Sequence, residues 1–374
     1  MIETFEFPIE AKSIKISTSQ YVKDNIVYNG TDNKYPMNME YLIDKSETAT
    51  LCVGTESKFL SAPFVNNEIG KMQYGLNWVN RPYTLDIVKY DIAYSLAKFN
   101  GAYIMVTRNL EGKVVSLNVI DFNKVRFTEF DNTMRATGAL VGDFGKEIKG
   151  GKFNRKNFNK FPLWNGNYDY FKLLSETFGT TSSIYPLFCN TQYYYPSNPY
   201  ESVIYDLATE NEIQLNRYEE ITQGTPSKLV IRTDISKDDY VREKELERIA
   251  NFAGSKGDRV LVISTSFDEN GQPINNGYQL DTIQDTRDLS KFSEAEDRTE
   301  KNIRKAVQIP SILISPNDGA TVDGSAAQLE AAKNYYDDII KGKRKMISDA
   351  LTEILGFDCS MEEFGKENNN ENNE

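Results

Sequence analysis

Arg298, Lys301 and Lys305 stand three and four residues apart in the stretch Asp297-Arg-Thr-Glu-Lys-Asn-Ile-Arg-Lys305. On an α-helix of 3.6 residues per turn they fall within an arc of about 60°. Cations in such a row touch phosphates through charge and read no base. The competing reading is a solvated face whose cations pair locally with Glu294 and Asp297. A second basic run, Lys341-Gly-Lys-Arg-Lys345, has the same two readings. It can meet nucleic acid, or it can balance Asp337, Asp338 and Asp349, which lie within one to two turns of it.

Other chemistries are poorly served. The 374 residues include no histidine, which removes Ser-His-Asp and Cys-His nucleophile systems, histidine general bases and most catalytic zinc sites. Asp143-Phe-Gly145 matches the metal-binding triplet of protein kinases. A His-Arg-Asp loop cannot exist here, and no glycine-rich partner loop accompanies the triplet. Gly254-Ser-Lys-Gly-Asp258 lacks the Walker spacing and follows an expected helix instead of opening one. Cys52, Cys189 and Cys359 show no metal-ligand spacing and are expected to be buried, reduced thiols. No catalytic residue, cofactor site or metal site is assigned. The remaining enzymatic reading is a nucleic-acid enzyme that works through acidic residues and a divalent metal. It would need converging carboxylates, and the sequence places none together.

Bulk charge narrows the partners. With 43 Lys and Arg against 55 Asp and Glu, the net charge is −12. Tight binding of nucleic acid over the whole surface is disfavoured, because that rests on counterion release. A chain that lets DNA slide past is compatible with it. No apolar run reaches the ~20 residues needed to span a bilayer. Met1-Ile-Glu-Thr-Phe-Glu carries acids where a signal peptide needs a basic segment, so a cytoplasmic chain is expected.

The elements that must position the basic stripe are two long helices around a glycine-rich hinge. From Leu289 an apolar or small stripe runs through Phe292, Thr299, Ile303 and Ala306/Val307, broken once at Glu296 and ended by Pro310. Turn-forming residues fill 315–324. Ser325-Ala-Ala-Gln328 then offers a capping box to a second helix, with Leu329, Ala332, Tyr336, Ile339/Ile340, Ile347, Ala350/Leu351 and Ile354 on one face. Gly342 is a candidate kink and Gly356 the stop.

Upstream, one helix is expected from Tyr35 to Pro63 and another from Thr84 to Phe99, ended by Asn100-Gly101. A hairpin follows over Ala102–Ile120, with Lys124–Thr128 as its third strand, and a short strand is possible at Lys12–Ser17. The Tyr193-Tyr-Tyr-Pro-Ser-Asn-Pro-Tyr200 cluster has no interleaved Arg or Lys, so it is read as packing or subunit interface and not as base stacking. Val203–Ile221 is helical. Strands are expected at Lys228–Arg232, Arg259–Thr265 and Tyr278–Ile283, with a charged helix at Asp238–Phe252. The asparagine-rich end after Lys366 has the composition of a disordered tail. The fold class is α+β.

The order of several segments resembles the portal proteins of tailed bacteriophages. They are Asn33-Lys-Tyr-Pro36 with Leu42-Ile-Asp-Lys-Ser46, Ala97-Lys-Phe-Asn-Gly-Ala-Tyr-Ile-Met-Val-Thr-Arg108 with Gly112-Lys-Val-Val-Ser-Leu-Asn-Val-Ile-Asp121, Glu219-Glu-Ile-Thr-Gln-Gly224, and Ile303-Arg-Lys-Ala-Val-Gln-Ile-Pro-Ser-Ile-Leu313. The likeness covers about 30–355. It implies a structural protein without catalysis that forms a ring, usually a dodecamer, as the head-tail connector at one capsid vertex of the virion. Such a ring is assembled in the cytoplasm of the host bacterium. Double-stranded DNA passes through it without sequence preference during genome packaging and ejection. The implied partners are the terminase large subunit, a head-completion or neck protein, and the major capsid and scaffold proteins, with no membrane and no cofactor. Carried over by segment, 1–202 are the wing, 203–224 and 285–310 the two stem helices, and 225–284 a small α/β clip. Residues 311–324 are the tunnel loop, 325–356 the wing and crown helix, and 357–374 the tail. Asn317, Asp318, Thr321 and Val322 of the loop, with Arg298, Lys301 and Lys305 of the stem, are the implied DNA-facing residues. The loop has no Lys or Arg, so its contact with DNA would be steric or through backbone and Asn/Thr groups. That leaves the stem stripe as the implied phosphate contact.

Overall fold

The computed structural model describes residues 18–76, 79–109, 111–145, 158–164, 166, 172, 176, 179–191, 193–223, 228–234, 260–265, 279–283, 289–314 and 325–362. The chain divides into two compact units. Among the described residues, one comprises those of 212–297 and the other those of 18–211 with 298–362, so both boundaries fall inside helices.

In the larger unit the first strands are β1 (Gln20–Lys23) and β2 (Ile26–Asn29), followed by helices α1 (Tyr35–Lys45) and α2 (Glu47–Leu60). The single helix expected over this stretch is two. Ser46 takes an extended backbone, ψ 120°, and its hydroxyl accepts the Ala49 N–H to cap α2. After the short helix α3 (Asn67–Gly70) and strands β3 (Gln73–Leu76) and β4 (Pro82–Thr84) comes α4 (Leu85–Phe99). Leu85, Val88, Ile92 and Leu96 are fully buried along one face of α4. Asn100 ends that helix at φ 56°, a left-handed conformation that asparagine tolerates.

Strands β5 (Gly101–Arg108) and β6 (Val114–Ile120) form the expected hairpin, its turn closed by the Asn109 side chain, which accepts from the Glu111 and Lys113 N–H groups. The expected third strand goes elsewhere. β7 (Val125–Phe130) pairs with β2 and with β8 (Ala136–Val141), and β9 (Asn159–Pro162) completes a five-stranded antiparallel sheet in the order β1-β2-β7-β8-β9. The hairpin's third strand is β10 (Ser182–Phe188), paired with β5 from Ser182↔Thr107 to Phe188↔Gly101. The two sheets share an aromatic core. Tyr103 lies 5.0 Å from Phe122 and 5.5 Å from Phe188, and Phe127 stacks on Tyr195 at 5.2 Å.

The tyrosine cluster is therefore packing at two of its positions, since Tyr195 and Tyr200 are fully buried. The Tyr195 hydroxyl joins the backbones of β2 and β7. It donates to Val27 O at 2.8 Å and accepts the Phe127 N–H at 3.0 Å. Arg126 is also fully buried. Its guanidinium donates to Asn33 Oδ1 and O, to Asn123 O and to Val125 O, and lies 4.7 Å from the Phe144 ring. This also explains Asp143-Phe-Gly145, whose phenylalanine is a wall of that pocket and whose aspartate caps the turn by accepting from the Gly145 N–H. Cys52 and Cys359 are buried free thiols, and Cys189 is half-buried.

Helix α5 (Ile204–Gln223) precedes strands β11 (Lys228–Asp234), β12 (Val260–Thr265) and β13 (Gln279–Ile283). These form the sheet of the smaller unit in the order β12-β11-β13, parallel across β11/β12 and antiparallel across β11/β13. A parallel pair requires a crossover of a dozen or more residues. The helix expected at Asp238–Phe252 would supply it, and lies outside the described residues, as does the strand expected at Lys12–Ser17. Helix α6 (Leu289–Ala306) and the long helix α7 (Ser325–Leu355) complete the order. α7 runs unbroken past Gly342, and Gly356 ends it at φ 76°. Its last turn is fastened to the β10-β5-β6 sheet through Glu353, which accepts from Trp164 Nε1 at 3.0 Å and from the Tyr185 hydroxyl at 2.9 Å. The Arg108 guanidinium lies 3.9 Å from the Trp164 ring.

Candidate nucleic-acid interface

The polarity of α6 decides what its cations can reach. Thr299 and Ile303 are buried, while Arg298, Lys301 and Lys305 are all exposed. Arg304, off that arc and half-buried, pairs with Glu300 at 3.0 Å. Asn302 donates to Asp206 of α5 at 3.1 Å, which fixes the rotation of the helix. Among the described residues no ion pair engages Arg298, Lys301 or Lys305, so the local pairing with Glu294 and Asp297 is not formed. The three form one exposed cationic row. Glu296, the break in the apolar stripe, pairs in bidentate fashion with Arg217 of α5 within the smaller unit. Such fork-to-fork geometry adds orientation as well as charge.

Half of the second basic run is turned inward. Lys343 Nζ binds Glu56 of α2 at 2.8 Å. Arg344 is 4% exposed, pairs with Asp337 and donates to Phe59 O at 3.1 Å. Only Lys341 and Lys345 of its four cations are exposed. The run thus clamps α7 onto α2, aided by an edge-on contact of Tyr336 with Phe59 at 5.2 Å. Asn317, Asp318, Thr321 and Val322 lie outside the described residues.

Two buried carboxylates that sequence reading passed over position these helices. Glu210 of α5 accepts from the Ser46 hydroxyl, from Thr48 Oγ1 at 2.7 Å and from the Thr48 N–H at 3.2 Å. It therefore sits at the N-terminus of α2, where an anion is favoured by the helix dipole. The cue was a serine and a threonine heading a helix, and the distant glutamate that completes the cap leaves no local trace. Glu56 is 2% exposed, and burial raises its carboxyl pKa, opposed by the Lys343 ammonium. A carboxyl raised on folding holds its proton more tightly in the native state. Its contribution to stability is full below the ordinary carboxylate range and is lost as pH climbs through the raised value. Glu56→Gln removes that loss and leaves Lys343 enough solvent access to stay hydrated. Stability measured by urea unfolding is expected to decline less from mildly acidic pH to neutrality in Glu56→Gln than in the native chain. Parallel pH profiles would refute this.

Among the described residues no group of three or more Cys, Asp or Glu is placed to hold a metal ion, and no helix is long and apolar enough to cross a membrane.

No protein-family model matches the chain, nor does any curated protein. Solved structures do. A chain of the virion of a native gene transfer agent particle matches with a TM-score of 0.52 and 11% identity over 87% of this chain and 84% of that one. A chain of the neck of the native particle, computed with C12 symmetry, matches at 0.51 and 11% over 86% and 82%. An HK97-family phage portal protein from Corynebacterium diphtheriae is also similar, at 0.37 and 12% over 77% and 83%. At these identities the first two establish a shared α+β fold over most of both chains.

Proposed function

We propose that this chain is the subunit of a portal ring, a structural component of a phage or phage-derived particle that conducts double-stranded DNA at one capsid vertex. The observation that carries the reading is the fold shared over 87% of this chain and 84% of a virion chain. The C12 symmetry of the matched neck supports a ring, of twelve subunits here. A closed ring uses head-to-tail contacts between different faces of one subunit. In this reading 1–202 form the wing, α5 and α6 the stem and 225–284 the clip, which meets the terminase large subunit and later a neck protein. Residues 311–324 are the tunnel loop and α7 the wing and crown helix. Capsid and scaffold proteins surround the ring.

The exposed row Arg298, Lys301 and Lys305 is assigned the transient phosphate contact. Its dependence on counterion release gives a test. Changing all three to Gln is expected to flatten the dependence of DNA binding on salt, by about 0.9 in the log–log slope for each phosphate no longer neutralised. An unchanged slope would remove the stripe from the DNA path.

The assembly itself is tested by light scattering with negative-stain imaging of the purified protein. A ring near twelve times 42.6 kDa with a central channel is expected. A compact dimer with divalent-metal-dependent nuclease activity would overturn the reading.

A further inference from the structure

The outward face of α7 changes character along its length. Ala327, Ala331, Tyr335 and Ile339 stand four residues apart and are all exposed, and from 326 to 335 no residue is buried. Farther along, the same side of the helix carries Asp338, Lys341, Lys345 and Asp349, all exposed. A solvated helix face is polar throughout, so a small and aromatic row ahead of a charged one marks a segment that another surface covers. Alanines at this spacing leave a shallow groove, which lets a second helix approach closely. The larger unit also has an uncovered row of the opposite shape. On α4, Ile87, Tyr90 and Tyr94 are exposed within an arc of about 60°. They form a ridge of large side chains with Asp86 on one side and Asp91 on the other.

We propose that the α7 row of one subunit packs on the α4 row of a neighbouring copy. Both rows are exposed in the folded subunit, so they meet only between copies. The inference rests on the ring reading, and it supplies the two different faces that a head-to-tail contact needs. Size and charge both fit. The small residues of the groove receive the large ones of the ridge, and the carboxylates beside the ridge face a helix whose groove continues into Lys341 and Lys345. Nucleic acid is a poor occupant, because the α7 row itself carries no cation.

The test is hydroxyl-radical footprinting of the full chain, read by peptide mass spectrometry in assembled rings and in free subunits separated by size. Tyr335 is 61% exposed in the subunit, and its labelling is expected to slow about fivefold in the ring, as the core of an interface requires. Tyr90 and Tyr94 should slow with it. Ala331→Glu keeps a good helix former but buries an unpaired charge in the contact. It should raise the concentration needed for half-assembly by about a hundredfold. Lys333→Glu, on the opposite side of the same turn, should leave that concentration unchanged. If Ala331→Glu fails to fold by circular dichroism, the footprint of the native chain decides. Rings in which Tyr335 or the two α4 tyrosines label as fast as in free subunits would overturn the proposal and leave the ring reading standing. Equally slow labelling in both states would give the face to another segment of the same chain, which also overturns it. A chain that forms no ring removes the ring reading and this inference together.

Discussion

Deleting residues 317–322 is expected to leave ring assembly intact and to abolish packaging or retention of DNA. The expectation rests on the anchoring of the elements on either side of the loop. Before it, Ile303 and Ile309 are buried, and the Ile309 N–H bonds back to Arg304 O at 3.1 Å. After it, α7 is held by Tyr336, Lys343 and Arg344 against α2 and by Glu353 against a sheet. None of these contacts involves the deleted residues, so the elements on both sides keep their anchors. What it removes is Asn317, Asp318 and Thr321, the polar groups proposed to touch DNA, together with the bulk that would narrow a channel. The check is the DNA content of particles carrying the deletion, with rings counted by negative stain. DNA-filled particles at normal yield would count against a loop that grips.

Arg126→Met is expected to lower the stability of the larger unit by about 3–5 kcal/mol, toward the low end of what removing the donor from three buried carbonyls costs. Methionine can fill part of the volume beside Phe144 but donates nothing. The carbonyls of Asn33, Asn123 and Val125 would lose the donor that Arg126 supplies from its buried position. Each buried acceptor left bare costs about 1–3 kcal/mol. Arg126→Lys should recover only part of the loss, because one ammonium cannot reproduce a planar fork that reaches both the start of β7 and the segment before α1. For a domain of this size the fall in Tm is roughly 6–20 °C. A scan showing less than about 2 °C would mean that water replaces the guanidinium and that the network is incidental.

Local chemistry made much of the helical framework legible. Pro310, Ser325 and Gly356 mark helix ends by rules that act within one turn, and α7 begins at Ser325 and ends at Leu355 as those rules require. Glu296 was legible as an irregularity but not as a bond, because its partner Arg217 is remote in sequence. The sheets were less legible for the same reason. Nothing within 125–130 says whether that strand extends the nearest hairpin or crosses to β2 and β8. Nothing near β5 announces that its second neighbour is Ser182–Phe188. Ser46 could have been read as a helix cap, and was hidden by apolar residues that keep helical spacing on both sides of it. The basic stripe of α6 was visible because its exposure follows from one helix's own periodicity. The inward turn of Lys343 and Arg344 was not, since it depends on acceptors at Glu56 and Phe59 from a helix laid down far earlier.

Glu353, joined to an indole and a phenol, gives the molecule an optical reporter. The chain has two tryptophans. One of them, Trp164, has its ring against a guanidinium and its N–H on the carboxylate at the end of α7. Indole emission responds to the charges and water around it, so the docking of the helix that follows the loop is written into the colour and intensity of one side chain's fluorescence. Undocking the end of α7 would change that signal while the secondary structure stayed constant, so the attachment of this helix can be followed in real time without a label.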